Sequence, residues 1–220
     1  MKAAVFHGSR DIRVEEVETP KLEACDILIK IRTCGICGSD LHTYKYNLFL
    51  DLSRLVNRRR IFGHEFSGEI TEINGQVEGL KVGDRIITCQ SGGNAEYIRI
   101  PANWGKPILH IPAEVSYDEA ATNEPLACSL HAVNLASPRN NETIVILGTG
   151  IIGLGILQVL KAVCSAKVIV GDMSDKRLAM AQKLGADVLI NARREDPYQK
   201  MLEVTGATTI RVLPEPFAHV

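Results

Sequence analysis

The feature that most constrains the fold is a glycine-rich turn, Gly148-Thr149-Gly150-Ile151-Ile152-Gly153, set between two apolar segments. The segment before it, residues 143–147, is short and β-branched, which is typical of a buried strand. The segment after it, residues 151–163, is apolar over the length of a helix. A strand that turns through glycines into a helix begins a βαβ unit, so we expect a parallel sheet covered by helices.

The same alternation continues towards the C-terminus. The pattern predicts a second strand over 167–171 and a second helix over 174–184. A further strand-like segment, 185–190, and a helix over 196–204 follow. Asp172 stands at the end of the second predicted strand.

A dinucleotide is the expected ligand of this turn. Gly148 permits the tight turn, Gly150 lets the backbone approach a pyrophosphate, and Gly153 allows the helix to pack closely on the strand. The free N–H groups at the helix start attract phosphate. Asp172 can accept hydrogen bonds from the adenosine ribose and would repel a 2′-phosphate, which favours NAD over NADP. The alternative is a structural glycine turn with a capping aspartate.

The first half of the chain has a different pattern. Short β-branched segments such as 27–31, 68–73 and 97–100 are separated by Gly, Asn, Asp and Pro, which indicates an all-β domain with many turns. Residues 116–136 show approximate helical spacing and predict a linking helix, which Pro125 should break or restart. The predicted fold class is therefore α/β plus all-β.

Composition excludes some functions. The 220 residues are 45% hydrophobic, enough for one large core or two modest ones. Lys and Arg number 25 against 26 Asp and Glu, so no overall field favours nucleic acid or a membrane surface, and Arg58-Arg59-Arg60 is interpreted as a solvated loop. No segment has the length of a membrane span or the pattern of a signal peptide. Six cysteines without framework spacing suit a reducing compartment, and we expect the cytosol.

A cluster of metal-binding residue types lies upstream. Cys34-x-x-Cys37 alone fits half of a zinc knuckle or a redox pair, and no second CxxC completes a structural site. Cys37 is the better ligand because Ser39, Asp40 and His42 follow it. These are residue types that transfer protons and hold metal ligands in place. Cys34 is then a packed thiol.

Two further positions carry candidate ligands. His64 and Glu65 stand side by side after Gly63. A solitary histidine is more often a core or surface residue, but the adjacent carboxylate and the upstream cysteines favour a ligand. Glu124 is another acidic candidate, with an ordinary carboxylate at a helix start as the alternative.

Four segments, together with the glycine turn, resemble the zinc-dependent medium-chain alcohol dehydrogenases, most closely the polyol (sorbitol) and threonine dehydrogenase branch. They are Cys37-Gly38-Ser39-Asp40-Leu41-His42, Gly63-His64-Glu65-Phe66-Ser67-Gly68, Val82-Gly83-Asp84-Arg85 and Glu124-Pro125-Leu126-Ala127. The resemblance covers residues 1 to about 206. It implies a GroES-like catalytic zinc domain over 1–125 and a Rossmann NAD-binding domain over 126–220, with a small-molecule alcohol as substrate. The family is homo-oligomeric.

The resemblance also implies a zinc ligand set. Cys37 and His64 match zinc ligands, and Glu65 matches the third ligand of the polyol and threonine dehydrogenases. Glu124 holds the place where other branches put a cysteine or aspartate ligand, so we expect it close by or exchanging with Glu65. Asp40 resembles the acid that orients the zinc histidine. One thiolate, one carboxylate and one neutral imidazole would balance Zn²⁺ and acidify a bound alcohol.

Other site residues follow from the same resemblance. Ser39 and His42 resemble a proton relay to solvent. Ile152, Asp172 and Arg177 fall where this branch contacts NAD, the expected acceptor of the hydride.

The chain departs from the family in two places. Most members carry a four-cysteine structural-zinc lobe where this chain has only Cys89 and two glycines between Arg85 and Ala95, so we expect one catalytic zinc and no structural zinc. A Rossmann sheet needs two βαβαβ halves, and this chain supplies little beyond one. The tail 208–216 carries two prolines that do not suit a central strand. We therefore expect an incomplete Rossmann domain without its nicotinamide half-site.

Two hypotheses about function remain open. The first is a zinc- and NAD-dependent dehydrogenase of a secondary alcohol or polyol, similar to sorbitol, threonine or butanediol dehydrogenases. The second is a truncated, catalytically inactive family member that retains zinc or partner binding. A zinc-free quinone reductase is disfavoured because that branch lacks the cysteine and histidine ligands.

Overall fold

Two units divide the chain, with the boundary between Glu124 and Pro125. The structure is a computed structural model and describes residues 1–47, 60–101 and 105–206. Arg58, Arg59 and the proline-containing tail 208–216 lie outside the described residues. In the three described ranges, no helix is long and apolar enough to cross a bilayer.

The first unit is built from antiparallel sheets, as the sequence predicts. One sheet has the strand order β7-β3-β5-β6-β8 and the other has the order β2-β1-β4. Their strands are β1 (Lys2–Gly8), β2 (Asp11–Glu16), β3 (Ile27–Cys34), β4 (Arg60–Ile61), β5 (Phe66–Ile73), β6 (Arg85–Thr88), β7 (Tyr97–Ile100) and β8 (Leu109–His110).

The core of the first unit follows the period-two pattern of its strands. Ile27 and Ile29 of β3 are register partners of Ile100 and Ile98 of β7, and all four side chains are buried. Alternate residues of one strand point to one face of a sheet, so these isoleucines form one apolar layer. Each contributes about 1.5–3 kcal/mol of burial free energy.

The predicted linking helix is two helices, and the restart lies at Asn123, two residues before Pro125, where the sequence predicts it. Helix α2 (Tyr117–Ala121) ends at Thr122, and helix α3 (Asn123–Ala136) starts directly after it. Pro125 does not break the helix, because it lies in the first turn of α3, where a backbone N–H has no intrahelical partner.

The start of α2 is fastened to the sheet by side chains. The Ser67 hydroxyl donates to the Tyr117 carbonyl at 2.7 Å. The Arg85 guanidinium donates to the carbonyl oxygens of Pro112 and Ala113 at 3.3 and 3.4 Å, and it stacks 4.6 Å from the centroid of the Tyr117 ring. These contacts fix the segment that leads through α2 to Glu124.

The second unit contains the predicted parallel sheet. Its described strands have the order β11-β10-β9, and both pairings are parallel. The strands are β9 (Thr143–Leu147), β10 (Lys167–Asp172) and β11 (Val188–Asn191), and the helices are α4 (Ile151–Val163), α5 (Asp175–Lys183) and α6 (Pro197–Thr205). The predicted alternation of strands and helices is confirmed: β9 and α4 have the predicted bounds, and the boundaries of the other elements move by at most three residues.

Both faces of this sheet are buried. Val168 and Val170 of β10 pack in one cluster with Leu157 of α4, and Ile169 between them packs in another with Met201 of α6. A parallel sheet covered on both sides needs a continuous apolar strand, which β10 supplies.

Replacing Gly153 with alanine is expected to lower the free energy of unfolding by about 1–3 kcal/mol, because the new Cβ would run into the Gly148 carbonyl oxygen. Gly150→Ala is the matched control, since its φ is −69° and a Cβ there meets nothing within 4 Å. It should change stability by no more than about 0.5 kcal/mol. Urea denaturation followed by circular dichroism measures both, and equal stabilities would contradict the close packing.

Candidate functional site

Three predicted ligands meet in the first unit. One ligand atom each from Cys37, His64 and Glu65 lies within 4.8 Å of the other two. A thiolate, an imidazole and a carboxylate are all ligands that zinc accepts, and three protein ligands with an open fourth position are typical of catalytic zinc.

Cys37 lies at the start of a helix that the sequence analysis missed. Helix α1 (Gly38–Tyr46) begins directly after Cys37, and the Asp40 carboxylate accepts the Cys37 N–H at 3.1 Å. The hydrogen bond to His64 is the largest cause of a lowered Cys37 pKa, and burial opposes it. Hydrogen bonds from the Ser39 side chain and backbone lower the pKa further, so the thiolate is favoured.

His64 is placed by a tight loop before β5. Gly63 has a φ of +88°, and a Cβ at this position would lie 2.6 Å from the Cys34 Sγ. The N–H groups of Gly92 and Gly93 donate to the Gly63 carbonyl at 3.0 and 2.9 Å. Only glycine fits this conformation and this space, so the loop that presents His64 is fixed by its neighbours.

The two cysteines of the CxxC pair have different environments. Burial raises the pKa of Cys34 to about 12, and the nearby charges of Asp40 and Glu65 add to the increase. A thiol that stays protonated is a weak metal ligand. Cys37, whose pKa is lowered, has the environment of a ligand, and Cys34 has the environment of a packed thiol.

Negative groups surround the His64 ring. The hydrogen bond with Cys37 is the largest cause that raises the pKa of His64 to about 9, against the effect of burial. Asp40 and Glu124 raise it further, and the Asp40 Oδ1 lies 3.8 Å from His64 Nδ1. That distance is too long for a hydrogen bond but short enough for attraction. The carboxylate therefore stands where it can orient the ring.

Glu65 and Glu124 occupy different positions relative to this group. The Gly35 N–H donates to the Glu65 carbonyl at 2.7 Å, and a Cβ on Gly35 would run into the Glu65 carboxylate. Glycine at 35 thus lets the carboxylate approach Cys37. Glu124 lies outside the three-ligand group, but within electrostatic reach of His64 and Glu65. Burial raises the Glu124 pKa, and the charge of Glu65 adds to it.

The two predicted relay residues lie on α1. Ser39 hydrogen-bonds the Cys37 thiol, so its hydroxyl is at the site. His42 lies three residues further along the helix and is exposed, with its ring centroid 6.2 Å from that of Tyr46.

Sequence reasoning missed two neighbours of Glu124. Burial raises the pKa of Cys89, the charge of Lys106 lowers it and that of Glu124 raises it, so both charged groups lie within electrostatic reach of the thiol. Lys106 also lowers the pKa of Glu124. The sequence did not indicate this neighbourhood, because it depends on the pairing of β6, which Cys89 directly follows, with the strand after His64, and that pairing is a tertiary contact.

The glycine turn in the second unit has the predicted geometry. Gly148 has a φ of +98°, Gly150 is the N-cap of α4, and Gly153 packs against the Gly148 carbonyl. Nothing lies within 4 Å of a Cβ built on Gly150, so a phosphate could approach the backbone there. Ile152 is partly buried, and its carbonyl accepts the Ser129 hydroxyl at 3.1 Å.

Asp172 lies beside this turn. Its Oδ2 accepts hydrogen bonds from the Thr149 N–H and hydroxyl at 2.8 and 2.7 Å. Arg177 Nη1 is 4.0 Å from the same oxygen. A carboxylate and a guanidinium thus stand together at the end of β10.

Comparison with known sequences identifies the class of protein. Residues 23–113 match the family described as alcohol dehydrogenase GroES-like domain, and residues 152–217 match the zinc-binding dehydrogenase family. The chain is 32% identical to the (R,R)-butanediol dehydrogenase of Bacillus subtilis (strain 168), over 94% of this chain and 68% of that protein. The chain therefore belongs to the zinc-dependent medium-chain alcohol dehydrogenases, a family of oxidoreductases, as its motifs predicted.

A sorbitol dehydrogenase and a solved structure are also similar to this chain. The sorbitol dehydrogenase of Bacillus subtilis (strain 168) is 32% identical over 94% of this chain and 65% of its own length. The crystal structure of 2R,3R-butanediol dehydrogenase from Bacillus subtilis superposes with a TM-score of 0.82 at 31% identity, covering 93% of this chain and 67% of that one. The GroES-like and Rossmann-like fold is thereby confirmed. The chain spans about two thirds of the length of these relatives.

Cys37→Ser is expected to lower the pKa of His64, because the hydrogen bond to Cys37 is the largest cause of its increase. In chelator-treated protein, the imidazole should titrate at about 9 in the wild type and closer to 6.5 in the variant. The raised pKa contributes folding stability that is fully present below pH 6.5 and is lost as the pH rises through about 9. NMR titration of the ring protons, assigned with His64→Gln, measures the change.

Cys34→Ser is the matched control for this titration. Cys34 does not contribute to the His64 pKa, so this variant should titrate like the wild type. If the His64 pKa stays at about 9 in Cys37→Ser, a group other than Cys37 is the main cause of its increase.

Proposed function

We propose that the protein is a zinc-dependent oxidoreductase that transfers a hydride from a secondary alcohol or polyol to NAD. The observation that carries the proposal is the convergence of Cys37, His64 and Glu65 within 4.8 Å. The names of the two Bacillus subtilis relatives, a butanediol and a sorbitol dehydrogenase, support the same class of substrate.

The donor set suits Zn²⁺. An ionised Cys37, a neutral His64 and an ionised Glu65 carry two negative charges in total, which offset the charge of the ion. When bound, zinc would act as a Lewis acid and lower the pKa of an alcohol oxygen. We propose one such ion per chain, with Glu65 as the third ligand and Glu124 as a catalytic carboxylate close by that can exchange with it.

The residues of α1 supply a path for the proton of the alcohol. The Ser39 hydroxyl stands at the Cys37 sulfur and can accept and donate a proton. His42 is exposed and can pass that proton to solvent. Asp40 is proposed to hold the His64 ring in place from 3.8 Å.

The second unit supplies the groups for NAD, whose nicotinamide would accept the hydride. The open backbone at Gly150 and the first turn of α4, which includes Ile152, suit the pyrophosphate. Asp172 suits the hydroxyls of the adenosine ribose, and its charge disfavours a 2′-phosphate. Arg177 flanks the same position.

Zinc analysis of purified variants tests the ligand set. The wild type should contain one zinc per chain, whereas Cys37→Ser, His64→Gln and Glu65→Gln should each weaken zinc binding about tenfold or more, because each removes one ligand atom. Glu124→Gln should retain zinc, and the exposed Glu114→Gln is the control. If Glu124→Gln loses zinc and Glu65→Gln retains it, Glu124 is the third ligand and Glu65 is the carboxylate close by.

Turnover assays test the reaction. NADH formation is expected with butane-2,3-diol, sorbitol or threonine, and Ser39→Ala should lower kcat about 100-fold because the proton loses its first acceptor. Glu114→Gln should leave kcat unchanged. A zinc-loaded wild type that oxidises none of the three alcohols would contradict the proposed activity and support the alternative of a binding protein without catalysis.

A further inference from the structure

The Asp172 carboxylate is held by one residue of the glycine turn. Thr149 donates twice to Oδ2, from its backbone N–H at 2.8 Å and from its hydroxyl at 2.7 Å. The Ser174 N–H donates to Oδ1 at 2.8 Å. Thr149 is 1% exposed and the Asp172 side chain 8% exposed, so water competes little for these bonds.

These donors determine what Asp172 can still accept. A carboxylate has about four acceptor positions, and three of them are filled. The remaining position is on Oδ1, so Asp172 offers one hydrogen-bond acceptor and a full negative charge to a ligand at the end of β10. Burial alone would raise the pKa of Asp172, but the bonds from Thr149 and Ser174 and the charge of Arg177 outweigh it and lower the pKa.

We infer that Thr149 is a positioning residue: its hydroxyl fixes Asp172 as the acceptor for the adenosine ribose and thereby sets the preference for a nucleotide without a 2′-phosphate. This rests on the proposed use of NAD and names the residue that controls that choice. The contacts are local, because the hydroxyl and the backbone donor both belong to Thr149, which lies between the two glycines that shape the turn.

The Thr149 hydroxyl also affects Arg177, because it keeps the Asp172 carboxylate next to the guanidinium. The guanidinium is 61% exposed and 4.0 Å from Asp172 Oδ2, so a fixed carboxylate partly neutralises it. If the hydroxyl is lost, the carboxylate is held by backbone donors alone and can move away from Arg177. The freed guanidinium would then attract a 2′-phosphate.

Calorimetric titration of the full chain with two half-nucleotides tests this inference. The probes are 5′-AMP and adenosine 2′,5′-bisphosphate, which differ only in the 2′-phosphate. The wild type should bind 5′-AMP more tightly. Thr149→Val keeps the shape and the backbone N–H but removes the hydroxyl, and it should shrink the ratio of the two affinities roughly fivefold, the net value of one typical hydrogen bond.

Two further variants are matched controls. Thr149→Ser keeps the hydroxyl and should restore the wild-type ratio, and Thr143→Val makes the same substitution at an exposed position of β9 and should leave the ratio unchanged. In an Asp172→Asn background, Thr149→Val should have no further effect, which separates positioning from a general loss of structure.

The outcomes are distinct. The inference is wrong if Thr149→Val leaves the ratio of the two affinities unchanged, or if this substitution changes the ratio as much in the Asp172→Asn background as in the wild type. It is also wrong if the wild type binds neither probe. None of these titrations uses alcohol or turnover. Absence of dehydrogenase activity with the expected ratios would therefore contradict the proposed function alone.

Discussion

The contact between the Cys37 sulfur and the His64 ring is the interaction on which the candidate zinc site depends. Each group raises the charged fraction of the other, since Cys37 holds a proton on His64 and His64 favours the thiolate. The two residues come from separate loops, one at the start of α1 and one before β5. Their approach requires glycine at 63, because a side chain there would collide with Cys34.

The second unit also depends on glycines that allow close packing. Gly153 lets α4 pack against the turn, and Gly148 takes a positive φ that begins it. Thr149, the residue between Gly148 and Gly150, then reaches Asp172 with two donors. The glycines shape the backbone, while the one hydroxyl among them decides what the neighbouring carboxylate can accept.

Much of the fold could be predicted because its signals are local. The β9-turn-α4 segment has a strand pattern, glycines and an apolar helix in order. Helix α1 was missed because its nine residues are polar and lack an apolar stripe, although Asp40 three residues after Cys37 is a capping signal. The sequence analysis places the break at Pro125 itself. A proline is also common in the first turn of a helix, so it does not show whether the helix starts at that residue or just before it. The meeting of Cys37 and His64 is a tertiary contact, which only the resemblance indicated.

The stacking of Arg85 on Tyr117 has a consequence for the evolution of this site. Arg85 belongs to the sheet, whereas Tyr117 opens the short helix that leads to Glu124. The position of Glu124, beside the candidate ligands, therefore depends on Arg85, which lies far from it in the sequence. We therefore expect substitutions at 85 and 117 to be coupled, because a protein without the guanidinium would need another donor for the carbonyls of Pro112 and Ala113 to keep Glu124 in place.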